Sequence, residues 1–147
     1  MKFLIKCLIN STKTTNTWII SGGSNEGVMK LIGDVVNDTT NGQNLTVLGI
    51  ASRKRIFGTY PELFKKEGET KTKKNECSLN PYHSAFIIVD NENQNEHEIE
   101  FRNKLEEYIK NNLTIPIVLI AIDGGAGTLK TIAGGLQNKI PILLVSV

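Results

Sequence analysis

The sequence predicts an α/β protein built on a parallel, doubly wound sheet. Three observations carry that class. Five apolar runs lack the in–out alternation of a half-exposed strand, the segments between them mostly repeat apolar residues at helical spacing, and two runs end in glycine pairs that open the next helix. Strands covered on both faces read as continuous apolar runs, and parallel strands need a crossover, usually a helix. Such sheets place their ligand sites beyond the carboxyl ends of the strands.

Taken in order, residues 3–9 (FLIKCLI) form a helix that ends in the polar NSTKTTN, with a strand as the alternative, because seven residues do not settle the period. Trp18 to Ile20 is a short buried strand. Apolar residues at Val28, Leu31, Ile32, Val35 and Val36 mark an amphipathic helix. LTVLGI (45–50) and AFIIVD (85–90) are the next strands. Ile99, Phe101, Leu105, Tyr108 and Ile109 share one helical face, with Glu98–Arg102 and Glu106–Lys110 at i,i+4 spacing. IPIVLIAI (115–122) is the strongest strand. Leu129, Ile132, Ala133 and Leu136 then define the apolar face of a helix, and IPILLVSV (140–147) closes with a strand. Residues 52–78 have weak periodicity and many lysines, and read as a basic loop or insertion passing over the ligand face.

At 147 residues the chain fits a single domain, 1–147, long enough to bury a core. The formal charge of +2 argues neither for nucleic acid nor for an anionic membrane. Apolar runs fall short of the roughly 18 residues that a spanning helix needs. Lys6 interrupts the one stretch resembling a signal peptide. Two cysteines, Cys7 and Cys77, are too few for a disulfide framework, and no Cys/His spacing suggests a metal. An intracellular setting is the default.

The chemistry concentrates in two loops, Ser21-Gly22-Gly23-Ser24-Asn25-Glu26-Gly27 and Asp123-Gly124-Gly125-Ala126-Gly127-Thr128. Each follows a strand and opens a helix. Glycine lets the backbone take φ > 0 or come close to a phosphate, and the first amides of a helix, with its dipole, favour an anion. Ser21, Ser24 and Thr128 add hydroxyl donors. Tight strand-to-helix turns also use glycine pairs; two loops on the carboxyl edge of one parallel sheet tilt the reading toward a phosphate site. Neither loop carries Gly-Lys-Ser/Thr, and the Gly-x-Gly-x-x-Gly spacing is missing, which argues against a nucleotide triphosphatase and a hydride-transfer enzyme.

The second loop resembles the Gly-Gly-x-Gly-Thr signature of the SLOG superfamily, Rossmann-like domains that include the cytokinin-activating phosphoribohydrolases. Along the whole chain, WIISGGSNEGVMKLIGDVV, LGIA, LNPYHSAFIIVD, EIEFRNKLEEYI, IPIVLIAIDGGAGTLKTI and PILLVSV resemble, in the same order, the cytosolic N-terminal domain of melastatin-type TRP (TRPM) cation channels. The resemblance implies a Rossmann-like fold and a nucleotide ligand such as ADP-ribose that helps gate a calcium-conducting channel, with no separate cofactor. It places ligand contacts on Ser21, Gly22, Gly23, Ser24, Asn25, Gly27, Val28 and Met29, on Arg102, and on Gly124, Gly125, Gly127 and Thr128. Other domains and subunits of a tetrameric channel are the implied partners, on the cytoplasmic face, without nucleic acid or direct membrane insertion. A strand and glycine turn that the family has before residues 3–13 lack a counterpart, as does a segment after 140–147. The chain is therefore expected to be a fragment lacking its first strand.

Departures from the family pattern bear on the ligand. The aromatic residue that stacks on the nucleotide in relatives falls near Asn95, so that platform is missing unless His97 or Tyr82 replaces it. Arg102 has a second reading as a surface ion pair with Glu98. His83 matches a family position, and the sequence pairs it with no nucleophile. The phosphoribohydrolases carry a glutamate three residues after the signature threonine; here that position is Thr131, which cannot act as an acid or base. A non-catalytic sensor is the leading expectation. A soluble phosphoribohydrolase and a ligand-free assembly domain are the alternatives.

Overall fold

The computed structural model describes residues 2–12, 15–39, 45–56, 59, 77–90 and 97–146. The chain divides into two compact units, Met1–Asp90 and Asn91–Val147. The first unit contains α1 (Lys2–Thr12), β1 (Trp18–Ser21), α2 (Gly27–Thr39), β2 (Thr46–Ser52), α3 (Arg53–Ile56) and β3 (Ala85–Val89). The second contains α4 (His97–Asn112), β4 (Leu119–Ile122), α5 (Ala126–Gln137) and β5 (Ile142–Val145). All strand pairing within the two sheets is parallel, in the orders β1-β2-β3 and β4-β5. The α/β class and the parallel pairing are those of a Rossmann-like fold. Among the described residues the five strands are shared between two sheets.

In the first unit, α1 settles the open choice at residues 3–9 in favour of a helix. Ile5 and Ile9, one turn apart, are its buried residues. Ser11 and Thr12 return their hydroxyls to the carbonyls of Leu8 and Ile9, at 2.7 and 2.8 Å, which occupies acceptors the helix end would leave open. The helix packs against α2, where Val35 and Val36 are buried, and Lys2 reaches Asp38 at 2.9 Å. β2 lies between β1 and β3, and Val47, Ile50 and Ala51 are accordingly buried. Its register sets Ser21 opposite Gly49 and Gly49 opposite Phe86.

The start of the basic segment 52–78 is ordered as α3 rather than loop. Ile56 is fully buried with Ala51 and Cys77, and Leu79 and Ile88 pack around them. One apolar residue at the end of a charged run is enough to pin this short turn, and periodicity cannot register so short an element. Residues 57, 58 and 60–76 of the expected loop lie outside the described residues.

In the second unit the elements appear where expected but bury different faces. The strand expected over 115–122 is confined to Leu119–Ile122, since β5 pairs only there and Pro116 has no N–H to give a ladder. On α5 the buried residues are Thr131, Gly134 and Gly135, while Leu129 and Leu136 are more than 60% exposed. The small residues allow close packing. A Cβ on Gly135 would come 3.0 Å from Leu119 Cδ2, and one on Gly134 would fall 2.1 Å from Asn103 Nδ2. β5 likewise leaves Leu143 and Leu144 exposed, against the expectation of a strand covered on both faces. Lys110 does not pair with Glu106. Its ammonium caps the end of α5, donating to the carbonyls of Asn138 at 2.5 Å and Lys139 at 2.9 Å.

Candidate functional site

The first glycine loop leaves the carboxyl end of β1 and enters α2. Ser21 is buried, and its Oγ lies 2.7 Å from His83 Nε2 and accepts the Gly23 N–H at 3.1 Å. Gly23 requires glycine twice over. Its φ is +71°, and a Cβ would stand 2.9 Å from Gly49 Cα and 3.1 Å from the Phe86 ring. Met29, in the first turn of α2, folds back over the loop: its sulfur would sit 2.7 Å from a Gly22 Cβ and accepts a 3.4 Å contact from Ser24 Oγ. Gly27, by contrast, has nothing among the described residues within 4 Å of a Cβ position.

Residues 78–83 form a strap along this loop that the sequence did not reveal as such. Leu79 bridges to Ser24, Asn25 N–H donates to Ser78 O at 2.8 Å, and Asn80 N–H donates to Gly23 O at 2.9 Å. The Asn80 side chain, wholly buried, donates to Asn25 Oδ1 at 3.2 Å and accepts the Tyr82 N–H at 3.0 Å. Tyr82 is exposed beside it. His83 stacks on Phe86 with ring centroids 5.6 Å apart, and burial depresses its imidazole below the usual range. The sequence pairs His83 with no partner, and the structure sets it against the Ser21 hydroxyl. The Ser21 hydroxyl is 62 positions away in the chain, a distance no local pattern spans. α3 adds Arg55, whose guanidinium lies 3.9 Å from Glu26 of the loop.

The second loop leaves β4 and opens α5. Asp123 is left-handed at φ +49°, Gly124 has φ +121°, and a Cβ on Gly124 would overlap Thr128 Oγ1 at 2.0 Å. Gly125 is the N-cap, extended at φ −118°, with no side-chain cap and nothing within 4 Å of a Cβ position among the described residues. Among the described residues, the first amides of α5 are therefore not claimed by a capping side chain, and nothing crowds the cap. A Cβ on Gly127 would come 3.3 Å from Ile99 Cδ1 of α4, and Thr128 is half-buried in the first turn.

Arg102 lies in the same unit as this loop, and it is not a surface residue. Its side chain is 16% exposed, and its Nη2 donates to Thr131 Oγ1 while Thr131 donates to Gly127 O at 3.1 Å. Its ion pair is with Glu106, at 3.5 Å, instead of Glu98, which adds only a weaker attraction. Burial works against both charges, lowering the guanidinium and raising the Glu106 carboxyl, and their pairing offsets part of each. Arg102 Nε, Glu98 Oε2 and Glu106 Oε2 are buried without a hydrogen-bond partner among the described residues. The structure thus groups Ser21 to Met29 in the first unit, and Arg102 with Gly124 to Thr128 in the second. Asn95 lies outside the described residues.

The model of the family described as "LSDAT_euk: SLOG in TRPM" matches residues 1–147. The chain belongs to the SLOG family of TRPM proteins. Mouse transient receptor potential cation channel subfamily M member 2 is 32% identical over 163 residues, covering 94% of this chain and 11% of the mouse protein. The subfamily M member-like 2 channel of Nematostella vectensis is 30% identical, covering 94% of this chain and 10% of its own length. The trpm channel of Drosophila melanogaster is 27% identical, covering 98% and 8%. This SLOG chain thus spans about a tenth of the length of these TRPM relatives. No helix among its described residues is long and apolar enough to cross a membrane.

Proposed function

We propose that this SLOG chain is a non-catalytic nucleotide-sensing domain, 1–147, and the regulatory N-terminal part of a TRPM-type cation channel, with ADP-ribose as the leading ligand. The observation that carries the reading is the start of α5. There, among the described residues, an uncapped row of amides stands behind Gly125, next to the Thr128 hydroxyl and with nothing within 4 Å of a Cβ position at Gly125. Such a helix end suits a phosphate. In the first unit the residues proposed for ligand contact are Ser21, Gly22, Gly23, Ser24, Asn25, Gly27, Val28 and Met29; in the second, besides Gly124, Gly125, Gly127 and Thr128, Arg102 would use the guanidinium hydrogens that Thr131 and Glu106 leave over. The non-catalytic assignment rests on Thr131, a hydroxyl bonded to Arg102 where the resembling phosphoribohydrolases hold a carboxylate.

Thermal unfolding with ADP-ribose, AMP or inorganic phosphate tests this. A ligand at a hundred times its dissociation constant adds about 2.7 kcal/mol to the native state. A rise in midpoint with ADP-ribose that Gly125→Asp removes is the expected result. A cooperative transition that no ligand moves would overturn the reading. Release of ribose phosphate from AMP would restore the enzyme alternative. The exposed Leu129, Leu136, Leu143 and Leu144 favour a second, compatible role, in which these leucines pack on other parts of a channel assembly.

A further inference from the structure

We propose that His83 is a positioning residue for the first glycine loop. Carrying its hydrogen on Nε2, it donates to Ser21 Oγ, so that Ser21 turns its own hydroxyl hydrogen to a phosphate oxygen of the nucleotide. This rests on the nucleotide reading above.

The assignment follows from counting donors and acceptors. A neutral imidazole has one N–H, and a hydroxyl has one hydrogen and two lone pairs. Ser21 Oγ already accepts the Gly23 N–H, and it lies 2.7 Å from His83 Nε2. His83 Nδ1 is buried and has no partner among the described residues. With the hydrogen on Nδ1, the fold would hold an orphaned buried donor. With it on Nε2, the Nδ1 lone pair and the Ser21 hydroxyl hydrogen are left over, and an anion at the loop takes the second, whereas a hydrogen on Nδ1 meets no acceptor among the described residues. The Nε2–H form then fills both lone pairs of Ser21 and leaves its hydroxyl hydrogen without an acceptor among the described residues. Ser21 is the last residue of β1, immediately before Gly22 and the turn into α2. An anion at that turn supplies the missing acceptor.

The imidazole is held for this task. It stacks on Phe86 at an interplanar angle of 20°, and Phe86 is itself wedged against Gly23 and Gly49, where a Gly49 Cβ would fall 2.6 Å from its ring. The His83 N–H of the backbone donates to Asn80 O at 3.3 Å, which ties the ring to the strap. Phe86 thus fixes His83, and His83 fixes which way Ser21 points. A donor at Ser21 favours an ionised phosphate oxygen over a group that itself donates.

Two measurements on the purified chain decide it. Nitrogen-15 NMR of the imidazole reports which ring nitrogen carries the hydrogen, and calorimetry with ADP-ribose compares wild type, Ser21→Ala, His83→Leu and His83→Gln. The expected results are an Nε2–H imidazole, a loss of affinity of roughly tenfold or more in both Ser21→Ala and His83→Leu, and no further loss when they are combined. His83→Gln, whose amide can donate from nearly the same place, restores most of the binding. A merely structural His83 would lower the unfolding midpoint of His83→Leu without changing affinity. That outcome, or an Nδ1–H imidazole, overturns the proposal while the nucleotide reading stands. A wild type that binds no nucleotide overturns both.

Discussion

Gly33 of α2 lies directly against Asn80, so closely that a methyl group built on it would come within 2.1 Å of Oδ1 and 2.5 Å of Nδ2. Asn80 is the buried residue that bonds Asn25 and the Tyr82 amide, so the bare helix surface at Gly33 is a condition for the strap along the first loop. Gly33→Ala gains about 1 kcal/mol of helix propensity but forces a buried, bonded side chain to move, and overpacking of that kind costs about 1–3 kcal/mol. The expected outcome is a net loss of stability in urea unfolding, with Asn80→Ala costing less in the Gly33→Ala background than in wild type. An alanine variant as stable as wild type would show that Asn80 is free to shift.

Arg102 and Glu106 form a pair in which both side chains are largely withdrawn from water. Removing one partner of such a pair strands the other, at about 3–5 kcal/mol. Arg102→Ala is therefore expected to be strongly destabilising, whatever its effect on ligand. Replacing both, as Arg102→Met with Glu106→Leu, removes the stranded charge and should recover at least half of that loss. Denaturant midpoints of the three proteins check this. Equal losses in the single and double variants would mean that the Thr131 bond, and not the charge pair, holds this part of α4.

Much of the architecture is visible in the sequence because it depends on local pattern. Apolar runs without alternation give the strands, and the spacing of Val28, Leu31, Ile32, Val35 and Val36 gives α2. What the pattern misses is which face of a helix wins burial. On α5 the leucines suggest one face, yet Thr131, Gly134 and Gly135 bury the other, because small residues permit a closer approach than leucines do. The site divides in the same way. Glycine pairs announce both loops. The Ser21–His83 contact, the Asn80 strap and the Arg102–Thr131 bond join residues 29 to 62 positions apart, beyond the reach of spacing arguments.

Neighbouring glycines in the second loop are expected to respond in opposite ways. Gly124 has φ +121° and no room beside Thr128, so Gly124→Ala should lose about 1–3 kcal/mol. Gly125 is extended, has nothing among the described residues within 4 Å of a Cβ position and occupies the N-cap. Aspartate is a good N-cap and its charge suits a helix start, so Gly125→Asp should leave stability unchanged or raise it by a few tenths of a kcal/mol, roughly. It would also claim the amides offered to a phosphate and repel an anion. A Gly125→Asp protein that melts no lower than wild type, yet has lost its ADP-ribose shift, is the expected signature. Retention of the full shift would place the phosphate elsewhere.

His83 and Glu106 are expected to respond to acid with opposite signs. Burial holds the His83 imidazole below its ordinary 6.5, and its stacked and bonded neighbours, Phe86 and Ser21, carry no charge to offset this. The unfolded chain then binds this proton more readily than the folded one. The contribution of His83 is full above about pH 6.5 and is lost as pH falls through its lower folded value. Glu106 is raised above its ordinary 4.5, by burial that Arg102 only partly offsets, so here the folded state binds the proton more readily. Its contribution is full below about pH 4.5 and declines as pH rises through its raised value. Amide exchange measured across pH 4 to 8, read separately at Val47 and Ile50 and at Leu105 and Ile109, should show the two slopes. His83→Gln should flatten the first without touching the second. A first-unit slope that persists in His83→Gln would assign it to another group and remove the case for a neutral buried imidazole beside Ser21.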